Sequence, residues 1–325
     1  MTAAEKTVYA GIDIGGTNIK FGLVDSDGHV VYRRQRPTMA QKGPTPLMHL
    51  VTNIAESLLL YAAEEDHHIN WLGVGTPGAV DFRTGVVIGP CPNIKGWQGM
   101  DIGPRLKERL NMPVYVDNDA NLVALAEARL GAAVGAKSVV CVTVGTGIGG
   151  GIVLDGALWR GASYSAAELG HISICYDGPQ CGCGRQGCIE AYCSSSAILR
   201  RARSKLKANP SPTFESILEG NLENMTIKKL FAALKKGDSV AKETLNETAF
   251  YLGTGLAGVV NLLNPDTVVI GGGVADGGGG FHEMVGAEIK KRAFDSAVEN
   301  LKVVKATLGN DAGFIGAGLL GEISK

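Results

Sequence analysis

The sequence predicts an α/β protein of two domains, made by duplicating one strand–glycine turn–strand unit. Three observations predict it. The chain has 325 residues, more than the roughly 250–300 at which a single core stops growing. Short apolar strands alternate with stretches of helical periodicity along it. And VTVGTGIGGGIVLD (residues 142–155) lies over IDIGGTNIKFGLVD (12–25) at a constant spacing of 130, with Ile14 on Val144, Gly15 on Gly145 and Asp25 on Asp155. Self-similarity of this kind marks a repeated unit, and two copies imply two domains around a cleft.

The elements follow in order. VYAGIDIGG, IKFGLVD and VVYRRQR are strands joined by tight turns, and 48–65 carries apolar residues at helical spacing. Strand WLGVGTPG, a helix over 102–110, strand MPVYVDND and helix ANLVALAEARLG come next. The pattern restarts at Lys137 with SVVCVTV and GIVLD; residues 193–264 are mostly helical, and TVVIGGG (267–273) is a strand leading into a long helix. NDAGFIGAGLL near the C-terminus has the small residues of a helix packed closely on another element, and GVADGGGGF alone has the composition of a flexible loop.

Composition excludes some partners. A net charge of −1 gives no electrostatic reason to expect nucleic acid or a membrane surface. The N-terminus has no basic region followed by an apolar core, and no apolar run reaches the ~20 residues of a membrane span. Seven cysteines without a secretory signal read as reduced thiols or metal ligands. The cytoplasm is the expected compartment.

Two glycine motifs are set aside. GTGIGG (145–150) has dinucleotide-binding spacing, but the chain continues as another strand, GIVLDG, where a helix N-terminus should meet the pyrophosphate. GAAVGAKS (131–138) approximates a P-loop, with Ala136 in place of the second glycine, but runs helix to strand instead of strand to helix.

Five constellations remain. In DIGGTNIK, Gly15 and Gly16 let backbone N–H groups approach an anion, Thr17 and Asn18 add donors, and Asp13 at a strand end suits the Mg²⁺ of a nucleotide. GTGIGGG (Gly145, Thr146, Gly147) is a second phosphate turn, and IGGGVA (Gly272, Gly273) lets a nucleoside ring lie on backbone. DNDAN (117–121) brings two carboxylates to a strand end and helix start, and either could take a proton from an alcohol in phosphoryl transfer. His171, Cys181, Cys183 and Cys188 form a CCCH set for a closed, structural Zn²⁺, with glycines 182, 184 and 187 freeing the loop to wrap it. That metal would hold the neighbouring Glu168 and Glu190 in fixed positions. Cys91, Cys141, Cys175 and Cys193 read as small hydrophobes.

At these residues the chain resembles the ROK family of sugar kinases, repressors and open reading frames. DIGGTNIKFGLVD, GTPGAVD, PNIKGW, DNDAN, VGTGIGGGI, ELGHI, CGCGRQGCIEAY and VIGGGVA stand in the family's order across essentially the whole chain. The resemblance implies a duplicated actin/hexokinase-like (ribonuclease H-like) fold. Its expected domains are 1–120, joined by a C-terminal helix over 311–325, and 121–310 with the zinc loop at 171–190. It implies that Asp119 is the catalytic base. Gly78, Asn93, Asn118, Glu168, His171 and Glu190 would contact sugar, and the glycine turns at 15–16, 145–147 and 271–273, with Lys20 of DIGGTNIK, would contact ATP. His171 then serves both zinc and sugar. The implied activity is ATP-dependent phosphorylation of a hexose, glucose first, with N-acetylmannosamine, N-acetylglucosamine or fructose as alternatives and polyphosphate as another donor. With DIGG beginning at Asp13, no helix-turn-helix module of the repressors is expected ahead of it. A homodimer is the family-level expectation.

Overall fold

A computed structural model describes residues 6–91 and 93–323. Pro92 of the PNIKGW motif and the last two residues of the expected terminal helix lie outside them. The first half of the chain gives strands β1 (Lys6–Ile14), β2 (Asn18–Asp25), β3 (Val30–Pro37), β4 (His67–Thr76), the short pair β5 (Val80–Asp81) and β6 (Val86–Val87), and β7 (Val114–Asn118). Its helices are α1 (Pro44–Glu64), α2 (Ile102–Leu110) and α3 (Asp119–Leu130). The second half gives β8 (Ser138–Val144), β9 (Ile148–Leu154), β10 (Ala157–Leu158), β11 (Thr267–Gly271) and β12 (Lys302–Lys305). Helices α4 (Ile189–Cys193), α5 (Ser195–Ala208), α6 (Pro212–Leu218), α7 (Ile227–Lys235) and α8 (Ser239–Leu263) separate β10 from β11. Helices α9 (Phe281–Lys290) and α10 (Asp295–Val298) precede β12, and α11 (Ala312–Leu319) follows it.

The two large sheets have one topology. Their strand orders are β3-β2-β1-β4-β7 and β10-β9-β8-β11-β12. Ile12 of β1 lies beside Val74 of the parallel β4, and its counterpart Val142 of β8 lies beside Ile270 of the parallel β11. The duplication therefore extends from the letters to the hydrogen-bond register.

Local chemistry explains the first sheet. Val8, Ala10, Ile12 and Ile14 alternate along β1 and are fully buried, in one core with Leu47, Val51, Ile54 and Leu58 of α1. Helix α1 starts with Pro44 in its first turn, where the missing N–H costs nothing. The other face of β1 meets α11, whose residues are all buried. A Cβ on Gly73 of β4 would stand 1.7 Å from the Ala317 carbonyl oxygen, so only glycine admits that helix so close to the sheet. Trp71 Nε1 donates to the Gly318 carbonyl at 2.7 Å on the same face.

By contact the chain forms two compact units: the described residues up to Gly135 with 151–167 and 310–323, and residues 136–150 with 168–309. The first runs past the boundary expected at 120. Helix α3 belongs to it, as does the start of the hairpin beyond Gly150, because Gly151 presses on α3 with 2.5 Å between its Cβ position and that of Ala124. The terminal helix is shorter than 311–325, since α11 ends at Leu319 and passes into a 3₁₀ turn over Leu320–Ile323. The single long helix expected after TVVIGGG is instead α9, α10 and the strand β12. No helix among the described residues is long and apolar enough to cross a membrane.

Candidate active site

Strands β1, β4 and β7 are parallel neighbours, so their carboxyl ends share one edge of the sheet, where open α/β sheets place their ligands. The register sets Asp13 beside Gly75, Gly75 beside Asp117 and Thr76 beside Asn118. Asp13 points toward the start of α11, where a Cβ on Gly313 would sit within 2.3 Å of Asp13 Oδ2. Burial pushes its carboxyl up to about 6, with the Lys20 charge opposing the shift. Lys20 Nζ donates to Asn310 Oδ1 at 3.3 Å. The turn after β1 is closed by Gly15 N–H donating to the Asn18 carbonyl at 3.0 Å, and Asn93 packs over it, 3.7 Å from the Cβ position of Gly16.

The two aspartates of DNDAN sit in different surroundings. Asp117 is 2% exposed, and both of its carboxylate oxygens are engaged. Its Oδ1 accepts from the Asn118 N–H at 2.7 Å and from Asn121 Nδ2 at 2.9 Å, and its Oδ2 accepts from Arg160 Nε at 2.7 Å. Asp119 is half-buried, in the first turn of α3, with Oδ1 accepting from the Ala120 N–H at 2.9 Å. Asn118 caps that helix, its Oδ1 accepting from the N–H groups of Ala120 and Asn121. Its Nδ2 donates to the Gly78 carbonyl at 3.2 Å, so two of the expected sugar contacts also hold each other.

Sequence reasoning missed several residues here. Trp97 is fully buried and donates from Nε1 to Thr76 Oγ1 at 2.7 Å, fixing the end of β4. The Cys91 thiol donates to the Pro77 carbonyl at 3.1 Å, and burial followed by the charge of Asp119 pushes it up to about 11. Arg160 was missed because its partner lies 43 residues away. Only the indole of GW, a large apolar group beside a motif, offered a signal.

In the second unit the turn at Gly145–Gly147 closes with a hydrogen bond of 2.9 Å from Gly145 N–H to the Gly147 carbonyl. The Gly145 carbonyl accepts from both the N–H and the Oγ of Ser195 at 2.8 Å. Gly272 adopts φ +87° with its Cβ position 2.6 Å from the Val144 carbonyl, so the backbone after β11 lies directly on the end of β8. A Cβ on Gly273 would meet nothing within 4 Å.

His171, Cys181, Cys183 and Cys188 bring their ligand atoms within 4.8 Å of one another. Cys181 Sγ stands 3.8 Å from His171 Nδ1 and Cys183 Sγ stands 3.7 Å from Cys188 Sγ. A tetrahedral ion with Zn–S bonds of about 2.3 Å needs edges of roughly 3.7–3.8 Å, so the set fits zinc. Burial pushes the Cys188 thiol up to about 12, and a bound cation is what would deprotonate it. Glu190 joins this cluster to the glycine turn. Its Oε2 accepts from the Ile148 N–H at 2.9 Å and its Oε1 from the Cys181 thiol at 3.7 Å. Glu168 is exposed, and its carbonyl accepts from the His171 N–H at 3.0 Å.

Two five-stranded sheets of one topology, each with a glycine turn between its first two strands, define the duplicated actin/hexokinase-like fold. Within that class the chain belongs to the ROK family, whose sequence profile matches residues 9–322. It is similar to a glucokinase of Halalkalibacterium halodurans, 35% identical over 319 residues that cover 96% of this chain and 94% of that one. It is also similar to a xylose repressor of Caldicellulosiruptor bescii, 30% identical over 306 residues, 94% of this chain and 76% of the repressor. Among solved structures, a ROK family glucokinase from Streptomyces griseus in complex with glucose and AMPPNP matches with a TM-score of 0.80 and 34% identity, covering 96% of this chain and 98% of that one.

Proposed function

We propose that this protein is a cytoplasmic, ATP-dependent kinase that phosphorylates the 6-hydroxyl of a hexose, with glucose preferred. The observation that carries the reading is the contrast within DNDAN. Both carboxylate oxygens of Asp117 are engaged and the residue is closed off from solvent, whereas Asp119 is half-exposed at the same strand end. A base must reach the proton it takes, which supports Asp119 over Asp117 in that role. Similarity to glucokinases over nearly the whole chain supports the substrate class.

In this reading Asp119 orients the sugar hydroxyl and takes its proton as the oxygen attacks the terminal phosphorus of ATP, with ADP leaving. Backbone N–H groups of the turns at Gly15–Gly16 and Gly145–Gly147, with Thr17, Asn18, Lys20 and Thr146, hold phosphates, and Gly272–Gly273 lie under the nucleoside. Mg²⁺ would be held at Asp13 and would neutralise phosphate charge. Asn93, Asn118, Gly78, Glu168, His171 and Glu190 take the sugar hydroxyls. His171 turns Nδ1 toward Cys181, which leaves Nε2 for a hydroxyl. Zinc at the CCCH set would take its four ligands from the protein and would serve to hold the loop.

The test is a coupled ADP-release assay over hexoses and N-acetylhexosamines, with wild type and Asp119→Asn. Glucose is expected to exceed N-acetylmannosamine in kcat/KM by about tenfold or more. Asp119→Asn is expected to lose about 10²–10⁴ in kcat while sugar binding stays within a few-fold. A reversed sugar ratio reassigns the enzyme as an N-acetylhexosamine kinase. Sugar binding without ADP release from any sugar, in the wild type, points to a sugar-sensing regulator, the class of the similar xylose repressor.

A further inference from the structure

We propose that Arg160 is a positioning residue for Asp119, acting through Asp117; this rests on the assignment of Asp119 as base. Arg160 follows β10 in a segment tied down by Trp159 N–H donating to the Ile152 carbonyl at 2.8 Å. Its side chain is 16% exposed, and its guanidinium lies with the central carbon 3.7 Å over the ring of Phe82, which itself stacks on Tyr115 at 6.3 Å. Tyr115 and Asp117 alternate on one face of β7. The result is a layered stack, Tyr115–Phe82–Arg160, whose cation ends on the Asp117 carboxylate.

Among the described residues Asp117 is the one acceptor hydrogen-bonded to the Arg160 side chain, and Arg160 Nη2 is buried with no acceptor. Beyond the Phe82 ring on which it lies, the guanidinium's hydrogen-bonding partner is Asp117. Asp117, buried and paired with Arg160, uses its other oxygen to hold the Asn118 N–H and the Asn121 side chain. Asn118 is the cap of α3 and Asp119 the first residue after it. Without Arg160, Asp117 becomes a buried, uncompensated charge, which must take a proton or draw in water. Either outcome changes the hydrogen bonds it offers and re-aims the turn that carries Asp119. Displacements of about 1 Å at a reacting group cost on the order of 10²-fold.

The experiment compares Arg160→Met, Arg160→Lys, Asp117→Asn and the double variant Arg160→Met/Asp117→Asn by steady-state kinetics, with Asp119→Asn as reference. Arg160→Met is expected to lower kcat by about 10–100-fold and leave KM for sugar and ATP within about threefold. Arg160→Lys should recover part of the loss, because the ammonium keeps the charge without the planar fork and ring stacking. The double variant should be several-fold more active than Arg160→Met alone, since it removes the charge that Arg160 compensates. That rescue is not expected of a merely structural residue. If Arg160→Met does not fold, the lysine and double variants carry the test. Wild-type kcat in Arg160→Met, or a folded double variant no better than the single, overturns the inference alone. Wild-type kcat in Asp119→Asn overturns the base assignment and this inference with it.

Discussion

Residues 12–25 and 142–155 are two copies of one hairpin, and they secure the same backbone atom by different means. In the first copy the Gly15 carbonyl accepts from Thr38 Oγ1 at 2.6 Å, a residue just beyond the edge strand of its own sheet. In the second, the equivalent Gly145 carbonyl accepts from Ser195 at the start of α5. Three residues along, the Ile148 N–H goes to Glu190, which also meets Cys181 of the CCCH loop. One turn is held by its sheet, the other by an insertion. The side chains differ as well: Asp13 on the first strand is replaced in the second copy by Thr143. On the proposed reading a duplicated fold provides two similar phosphate turns, with the nucleotide's cation at the first and a fastening through the CCCH loop at the second.

The largest break in that comparison is at Asp13. Asp13→Asn is expected to lower kcat by about 10² or more, the usual worth of a pre-placed charge in phosphoryl chemistry. Stability should move the other way. The folded carboxyl sits at about 6 against 3.8 in a free chain, so the native state binds the proton more tightly. A group raised in this way supports the fold below the unfolded value and loses that contribution as pH rises through about 6. The apoprotein should therefore lose roughly 2 kcal/mol at most between pH 4 and pH 7.5 through this group. Asp13→Asn should melt a few degrees higher than wild type at pH 7.5 in the absence of nucleotide, and the gap should close near pH 4. Equal melting temperatures at both pH values would remove the electrostatic account of Asp13.

Zinc loss should separate the two copies next. Cys183→Ser is expected to lose about one equivalent of metal per chain and about 10²-fold in activity. The sugar KM should rise and kcat fall. Amides at 145–148 should exchange faster, through Glu190, while those at 15–18 stay as in wild type. A zinc-free, fully active variant would reduce the cluster to a bystander, and faster exchange in both turns would break the proposed division of labour.

Much of this was legible where partners are close in the chain. The CCCH set falls within residues 171–188, and the repeat needed only two segments of one length. From the residues alone DNDAN was legible as a pair of carboxylates, and the resemblance singled out Asp119, but neither divided them into one closed off and one half-exposed. That division is made by Arg160, brought to Asp117 by tertiary packing from 43 residues away. The strand β12 was missed for a related reason. Its four residues, KVVK, are too short to show alternation, and pairing with β11 is what makes them a strand. Trp97 closes the PNIKGW motif without its partner being legible there, and Ser195 lies in no motif; each is placed by the fold against a hydroxyl or backbone oxygen.

The smallest effect tests the fastening itself. Thr38→Val removes the only hydrogen bond to the Gly15 carbonyl among the described residues, because the Thr38 N–H goes to Thr17 at 2.9 Å instead. Thr38 is 1% exposed, so water has little access to replace the lost donor. Ser195→Ala removes one of two donors to the Gly145 carbonyl and leaves the Ser195 N–H in place at 2.8 Å. A carbonyl left unsatisfied in a part-buried turn costs at most about 1–3 kcal/mol, whereas a lost second donor costs about 0.5 kcal/mol. Thr38→Val should therefore lower the melting temperature by about 2–4 °C and Ser195→Ala by about 1 °C. Both should raise the KM for ATP by no more than a few-fold, since neither touches the phosphate-facing side of its turn. If Ser195→Ala proves the more damaging, the second turn depends on its hydroxyl and not on the metal-tied loop, and the contrast between the copies must be drawn elsewhere.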